Sequence, residues 1–302
     1  MGFAWKPLAL AVALTCSAAQ ALAAPTLSEY TLLAGRKVII GGGSLISGLV
    51  GAGFTGGQNE RAILLNAGAD LDGDARSAWH VQLNNGCFIF GRITHPVGTQ
   101  IFLGNPAGFG DEVLADPELP ALPSPTSFTS GGQSYTGQGN GFTLTLTPDS
   151  YGTVALGGGC TLNLQAGNYY FDGLSAGNGL RLNVNLNGGQ TKIYVTGQAS
   201  FGSVDTGLPT GGSSDDIYLE SHWVGTGGEP FGFKATAGSE WVGDVYTPTS
   251  GIHFGGSAGP TVFFGRFVAG HDVDIEHGVT NAPPVPVEPT TWGGIKGMFV
   301  PR

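Results

Sequence analysis

Three carboxylates at alternate positions, in Asp70-Leu-Asp-Gly-Asp74, form the sharpest candidate site in this chain. A hard cation collects oxygens from alternate positions of a tight turn, so Asp70, Asp72 and Asp74 match the opening of a calcium loop. The sixth position is Ala75 rather than glycine and the twelfth is Val81 rather than glutamate. An acidic turn facing water is therefore the competing reading. A second constellation, His271-Asp-Val-Asp-Ile-Glu-His277, points to zinc or acid–base work. Strand alternation turns Val273 and Ile275 inward, places His271 and His277 in their row, and projects Asp272, Asp274 and Glu276 from the other face. Two histidines six residues apart along a strand are separated by about 20 Å, too far to share one ion. A solvated acidic ladder is the expectation, with a cation-bridged contact as the lesser alternative.

Catalysis needs more than these groups supply. A polysaccharide-cleaving β-helix requires paired carboxylates along a groove, or a base beside a bound cation. Asp215 and Asp216 adjoin, so in a strand they point to opposite faces. Arg266 with His253 and His271 is the one late group that contains a base. No nucleophile, base and orienting group assemble, so the expectation is a non-enzyme, with a polysaccharide lyase or hydrolase as the alternative. His222, Trp223 and Trp241 could stack sugars, although isolated tryptophans more often sit in a core or at its rim. Cys87 and Cys160 leave two readings open. They form a disulfide contributing about 4 kcal/mol, or they are two buried apolar residues.

The elements that must position these groups are short strands. Phe142–Thr147, Cys160–Leu164, Leu180–Leu186 and Lys192–Thr196 alternate apolar and polar residues, as do Ile217–Glu220, Trp241–Tyr246, Thr261–Phe264 and Asp272–Glu276. Such alternation marks half-buried strands. Earlier runs at Lys37–Ile40, Ala62–Leu65, His80–Leu83 and Cys87–Phe90 are separated by glycine and asparagine clusters. Nothing in 142–279 keeps a helical period for three turns, so the chain is read as all-β. Prolines 106, 117, 120, 123 and 125 and the glycines after them interrupt the rhythm over about 104–141, which reads as an irregular excursion.

Residues 1–23 carry Lys6, an apolar run from Leu8 to Leu14 and an Ala21-Leu-Ala23 end. That order is a signal peptide, and its apolar run falls short of the ~20 residues that span a bilayer. The expectation is export to the extracellular space or cell surface, the periplasm being the alternative, with no transmembrane segment. The remaining 279 residues hold 11 basic and 22 acidic side chains, a formal charge of −11. Nucleic acid and anionic lipid require a basic footprint and are disfavoured. Calcium is the single cofactor the motifs admit.

Strands about every ten residues suit a sandwich or a solenoid. Outward rows of Thr143, Thr145 and Thr147, then Thr161 and Asn163, then Asn183, Asn185 and Asn187, favour the solenoid, whose successive coils stack like side chains. The boundaries follow: a right-handed parallel β-solenoid over 24–280, with a short helix or the long loop excursion packed alongside, and an extended C-terminal tail over 281–302.

The segment from Leu146 to Asp172 contains a Pro-Asp-Ser-Tyr-Gly turn followed by an Ala-Gly-Asn-Tyr turn. It resembles a phrase in secreted bacterial β-solenoid surface proteins. Ser239-Glu-Trp-Val-Gly-Asp-Val-Tyr-Thr-Pro248, Gly251-Ile-His-Phe254 and Phe264-Gly-Arg-Phe-Val-Ala-Gly270 are similar to late coils of the bacterial ice-binding-like family, and Thr31-Leu-Leu-Ala-Gly35 to its opening strand. The match covers about half the chain, in patches. The resemblance implies an exported β-solenoid, often with a helix along it, and no catalytic residues. Ice binding in that family uses a flat face of threonine, serine and alanine. Thr143, Thr145 and Thr147 begin such a row, and Arg181, Asn183 and Asn185 interrupt it. The expected function is a non-catalytic structural or adhesive role, with itself, matrix components or polysaccharide as partner. Ice binding is the alternative. The surface-binding candidates are Thr143, Thr145, Thr147, Thr161, Asn183 and Asn185.

Overall fold

Alternation becomes structure in the strands Thr143–Leu146, Thr161–Gln165 and Leu180–Asn185. Their leucines and valine are buried, and the threonine, asparagine and arginine residues between them face outward. A computed structural model describes residues 25–207, 212–225, 230–256 and 259–281. The segment 1–23, read above as a signal peptide, lies outside the described residues, as do residues 282–302 of the expected tail. Among the described residues, 29 strands join into one sheet of parallel pairings, wound as a β-solenoid of about twelve coils. No described residue is α-helical; two 3-10 turns occur at Leu27–Glu29 and Ser214–Asp216.

The path is not a simple spiral. Tyr30–Ala34 pairs with Leu49–Ala52 on one side and with Phe267–Ala269 on the other. Val38–Ile40 lies likewise between Ile63–Leu65 and Val273–Ile275. The first coil is thus spliced into the middle of the stack. Residues 49–114 wind from it to one end, and the chain then crosses the whole length. Residues 135–281 wind back until the last coil docks on the first.

Residues 115–130 make that crossing as a strap. Eleven interlayer steps separate the coil of Leu114 from Gly131, whose amide donates to the Tyr151 carbonyl. At ~4.8 Å per step this is about 53 Å. Sixteen residues reach that far only when extended at ~3.1 Å each; an α-helix of that length spans about 24 Å. The prolines and the long crossing therefore demand the same conformation. Leu119 and Leu122 pack over Tyr30, Leu33, Tyr246 and Val268, and the Tyr246 hydroxyl donates to the Pro123 carbonyl. The excursion expected over 104–141 is correspondingly narrower. Ala107–Leu114 pairs with Cys87–His95, and Tyr135–Gln138 pairs with Val154 and Leu156, because proline and glycine beside a strand do not stop its interior from pairing.

Coil length varies widely, which hides the repeat in the sequence. Stacked partners are 18 residues apart at Thr143 and Thr161, 20 at Thr161 and Arg181, and 35 at Asp205 and Glu240. Core composition varies along the stack. Phe201, Phe233, Trp241, Phe254, Phe263 and Phe267 form one cluster in mutual ring contact, Tyr151, Tyr169 and Phe171 form another, and leucine, valine and isoleucine fill much of the rest. Each such side chain contributes about 1.5–3 kcal/mol by leaving water. Trp241 is thus a core residue. One corner requires a left-handed residue in coil after coil, and Gly43, Gly68, Gly86, Gly141, Gly159, Gly179, Gly238 and Gly278 supply it with φ between 64° and 79°. That conformation penalises any Cβ.

The disulfide reading is overturned. Cys87 and Cys160 are free and buried, and they belong to coils about eight layers apart, roughly 38 Å at the interlayer spacing. A disulfide tolerates only about 7 Å between Cα atoms. Their sulfurs instead lie against carbonyl oxygens, Cys87 Sγ 3.0 Å from Asn66 O and Cys160 Sγ 3.2 Å from Gly139 O.

Candidate functional site

Parallel stacking brings most of the surface candidates to one face. Thr143 is in register with Thr161 and Arg181, and Thr145 with Asn163 and Asn183. Arg181 and Asn183 continue into Asp205 and Gly207. Asn163 Nδ2 donates to Thr145 Oγ1 at 3.1 Å, and Asn183 Nδ2 donates to Asn163 Oδ1 at 3.0 Å. A third column pairs Gln165 with Asn185. Thr147 lies just past its strand, exposed, and its carbonyl accepts from the Tyr151 hydroxyl at 2.7 Å. Between these columns runs a groove of about 510 Å3, lined by Thr145, Asn163, Gln165, Asn183, Asn185 and Gly207. A second, of about 340 Å3, lies beside Thr161, Arg181, Ser203 and Asp205.

The geometry is a lattice of hydrogen-bonding groups. Outward residues repeat at ~6.8 Å along each strand and ~4.8 Å between coils. The chained carboxamides fix one another's orientation, so each aims its remaining donor or acceptor at solvent. Sequence reasoning passed over Gln165 and Asp205 as members of this face. Register alone reveals them.

Other candidates are dispersed. Asp70 Oδ1 accepts from the Phe88 amide at 3.0 Å and Asp74 Oδ1 from the Arg92 amide at 2.7 Å, each tying its coil to the next, while Asp72 is exposed. These three do not form an ion-sized group among the described residues; His253, Asp274 and Glu276 do. His271 and His277 are exposed at the turns flanking Val273–Ile275 rather than in its inward row. The strand is only three residues long, so alternation ends before it reaches them. Arg266 does not join His253. It forks onto Asp244 and approaches Asp215 at 3.4 Å. Asp216 instead accepts from the Ser213 amide at 2.7 Å.

Two histidines meet carboxylates closely. Thr99 Oγ1, His95 and Glu112 line up at 2.6 Å and 2.8 Å. The Thr99 hydroxyl spends its proton on the Pro96 carbonyl at 2.8 Å, so it accepts from His95, the reverse of general-base activation. Beneath the strap, Glu220 is 1% exposed. It accepts from the Thr126 amide at 2.7 Å, the Thr126 hydroxyl at 2.8 Å and the Tyr218 hydroxyl at 2.8 Å, and meets His222 Nε2 at 2.7 Å. Burial pushes its carboxyl pKa up, but His222, Thr126 and Tyr218 outweigh that and hold it below the ordinary value. Burial, with the Glu220 charge next, pushes Tyr246 up to about 12. Phe128 of the strap closes the site, its ring 4.7 Å from that of His222.

No family model, curated protein or solved structure matches the chain, so the resemblance to ice-binding-like proteins rests on its turn motifs alone. No helix among the described residues is long and apolar enough to cross a membrane.

Proposed function

We propose that this chain is a non-catalytic structural or adhesive β-solenoid, exported to the cell surface or extracellular space, that holds a repetitive polar partner on its threonine–asparagine face. The single observation that supports this is the lattice itself, three outward columns set in register by the coils beneath, one of them chained by side-chain hydrogen bonds through Thr145, Asn163 and Asn183. Hydroxyls, carboxamides and the Arg181 and Asp205 side chains match the donors and acceptors of a neutral polysaccharide. The histidine–carboxylate pairs support the non-catalytic part, since their oxygens and protons are committed to holding turns and the strap. Membership of the ice-binding-like family belongs to the same proposal.

Cosedimentation with insoluble polysaccharides tests the reading. The paired substitution Asn163→Ala and Asn183→Ala is expected to abolish retention while leaving the melting curve in place, because both side chains face outward. Retention equal to wild type would remove the face from the function, and release of soluble sugar would replace adhesion with catalysis. Ice is the second reading, favoured by the small hydroxyls of Thr143, Thr145 and Thr161. Thermal hysteresis that disappears in Thr145→Arg would establish it. The Arg181 and Asp205 intrusions lead us to expect none.

A further inference from the structure

The outward row of Val273–Ile275 and the strand Gly251–Gly255 beside it create a grouping that neither segment contains alone. His253 is in register with Asp274, one coil away. Glu276, two residues on, projects to the same side. One ligand atom from each of the three lies within 4.8 Å of the others. His253 Nδ1 is 3.4 Å from Asp274 Oδ2, and Nε2 is 3.9 Å from Glu276 Oε1. The Phe231 ring flanks the imidazole at 5.1 Å.

These contacts leave an imbalance. A neutral imidazole carries one N–H and one lone pair, yet both nitrogens face carboxylates. In the neutral form one carboxylate therefore confronts a lone pair, and a proton or a cation on that nitrogen relieves the conflict, the two competing for the same site. A divalent cation removes that conflict by taking the lone pair and both carboxylates together. Two ligands arranged tetrahedrally around an ion at ~2.1 Å are about 3.4 Å apart, the separation found between His253 Nδ1 and Asp274 Oδ2. The geometry points to a divalent metal site at His253, Asp274 and Glu276. One imidazole with two carboxylates suits zinc or another first-row ion rather than calcium, which takes oxygen ligands alone. All three side chains are partly exposed, so water completes the coordination. Asp272 in the same row adds negative potential, offset by Arg36 at 3.9 Å. Lys234 is in register with His253 on its other side.

The position gives the site a role. Val273–Ile275 lies between Gly251–Gly255 and the first coil's Val38–Ile40. An ion there would pin the last coil to its predecessor beside the seam where the two halves of the stack meet.

Calorimetric titration of the full chelator-treated chain with Zn2+, and visible spectra with Co2+, test the site. One saturable equivalent is expected. His253→Gln should weaken binding about tenfold or more, and Asp274→Asn with Glu276→Gln should abolish it. Metal-free melting curves, superimposable on wild type, verify that each variant folds. No saturable binding by wild type overturns the proposal. Equal binding by the His253 and carboxylate variants does so too, because the ion would then sit elsewhere on the acidic surface.

Discussion

Removing the Glu220 carboxylate should loosen the strap along the whole solenoid. In Glu220→Ala, the Thr126 amide, the Thr126 hydroxyl, the Tyr218 hydroxyl and His222 lose their shared partner at a site 1% exposed. A buried donor left unpaired costs about 1–3 kcal/mol. The hydroxyls can rotate and the strap edge can admit water, so a total of about 4 kcal/mol is expected from the same range. At ~2–4 °C per kcal/mol for a chain of this size, the thermal midpoint falls by roughly 8–16 °C. Glu220→Gln should cost far less, because its oxygen can serve the Thr126 amide while its NH2 donates to the two hydroxyls. The two variants also separate under acid. The folded carboxyl pKa lies below the 4.5 of the free group, so the unfolded chain takes up the proton first. Its stabilisation is complete above 4.5 and drains away as pH falls below it. Wild type should lose stability in that window, and Glu220→Gln should lose less. Urea unfolding across pH measures this, and hydrogen exchange of residues 115–130 reports the strap directly. A Glu220→Ala cost under about 1 kcal/mol, or strap exchange identical to wild type, would refute the reasoning.

Two further outcomes follow from packing. Gly270→Ala should destabilise by about 1–3 kcal/mol in urea titration, since a Cβ there meets the Pro248 carbonyl, which is backbone and cannot rotate away. The chain without residues 1–23 should show two thiols to a thiol reagent when denatured and almost none when native, with a melting point indifferent to reductant, because Cys87 and Cys160 are buried and unpaired.

Period-two alternation determined by itself that the chain forms strands, which rows turn inward, and that Thr145, Asn163 and Asn183 share an outward direction. Those properties depend on neighbours along the chain, and the structure keeps them inside the strands, although not for His271 and His277, which lie past the ends of Val273–Ile275. Three others depend on residues distant in sequence. Coils of unequal length conceal the register that sets Asp205 beside Arg181 and His253 beside Asp274. Glu220, Tyr246, Val268 and Leu33 occupy outward positions that alternation assigns to water, yet they are buried. A crossing segment lies over them, and its destination is invisible in its own residues. The splice of the first coil between Leu49–Ala52 and Phe267–Ala269 is likewise a decision of the folded state. Parallel strand edges accept any partner of matching pleat, so only the completed stack selects which edges meet.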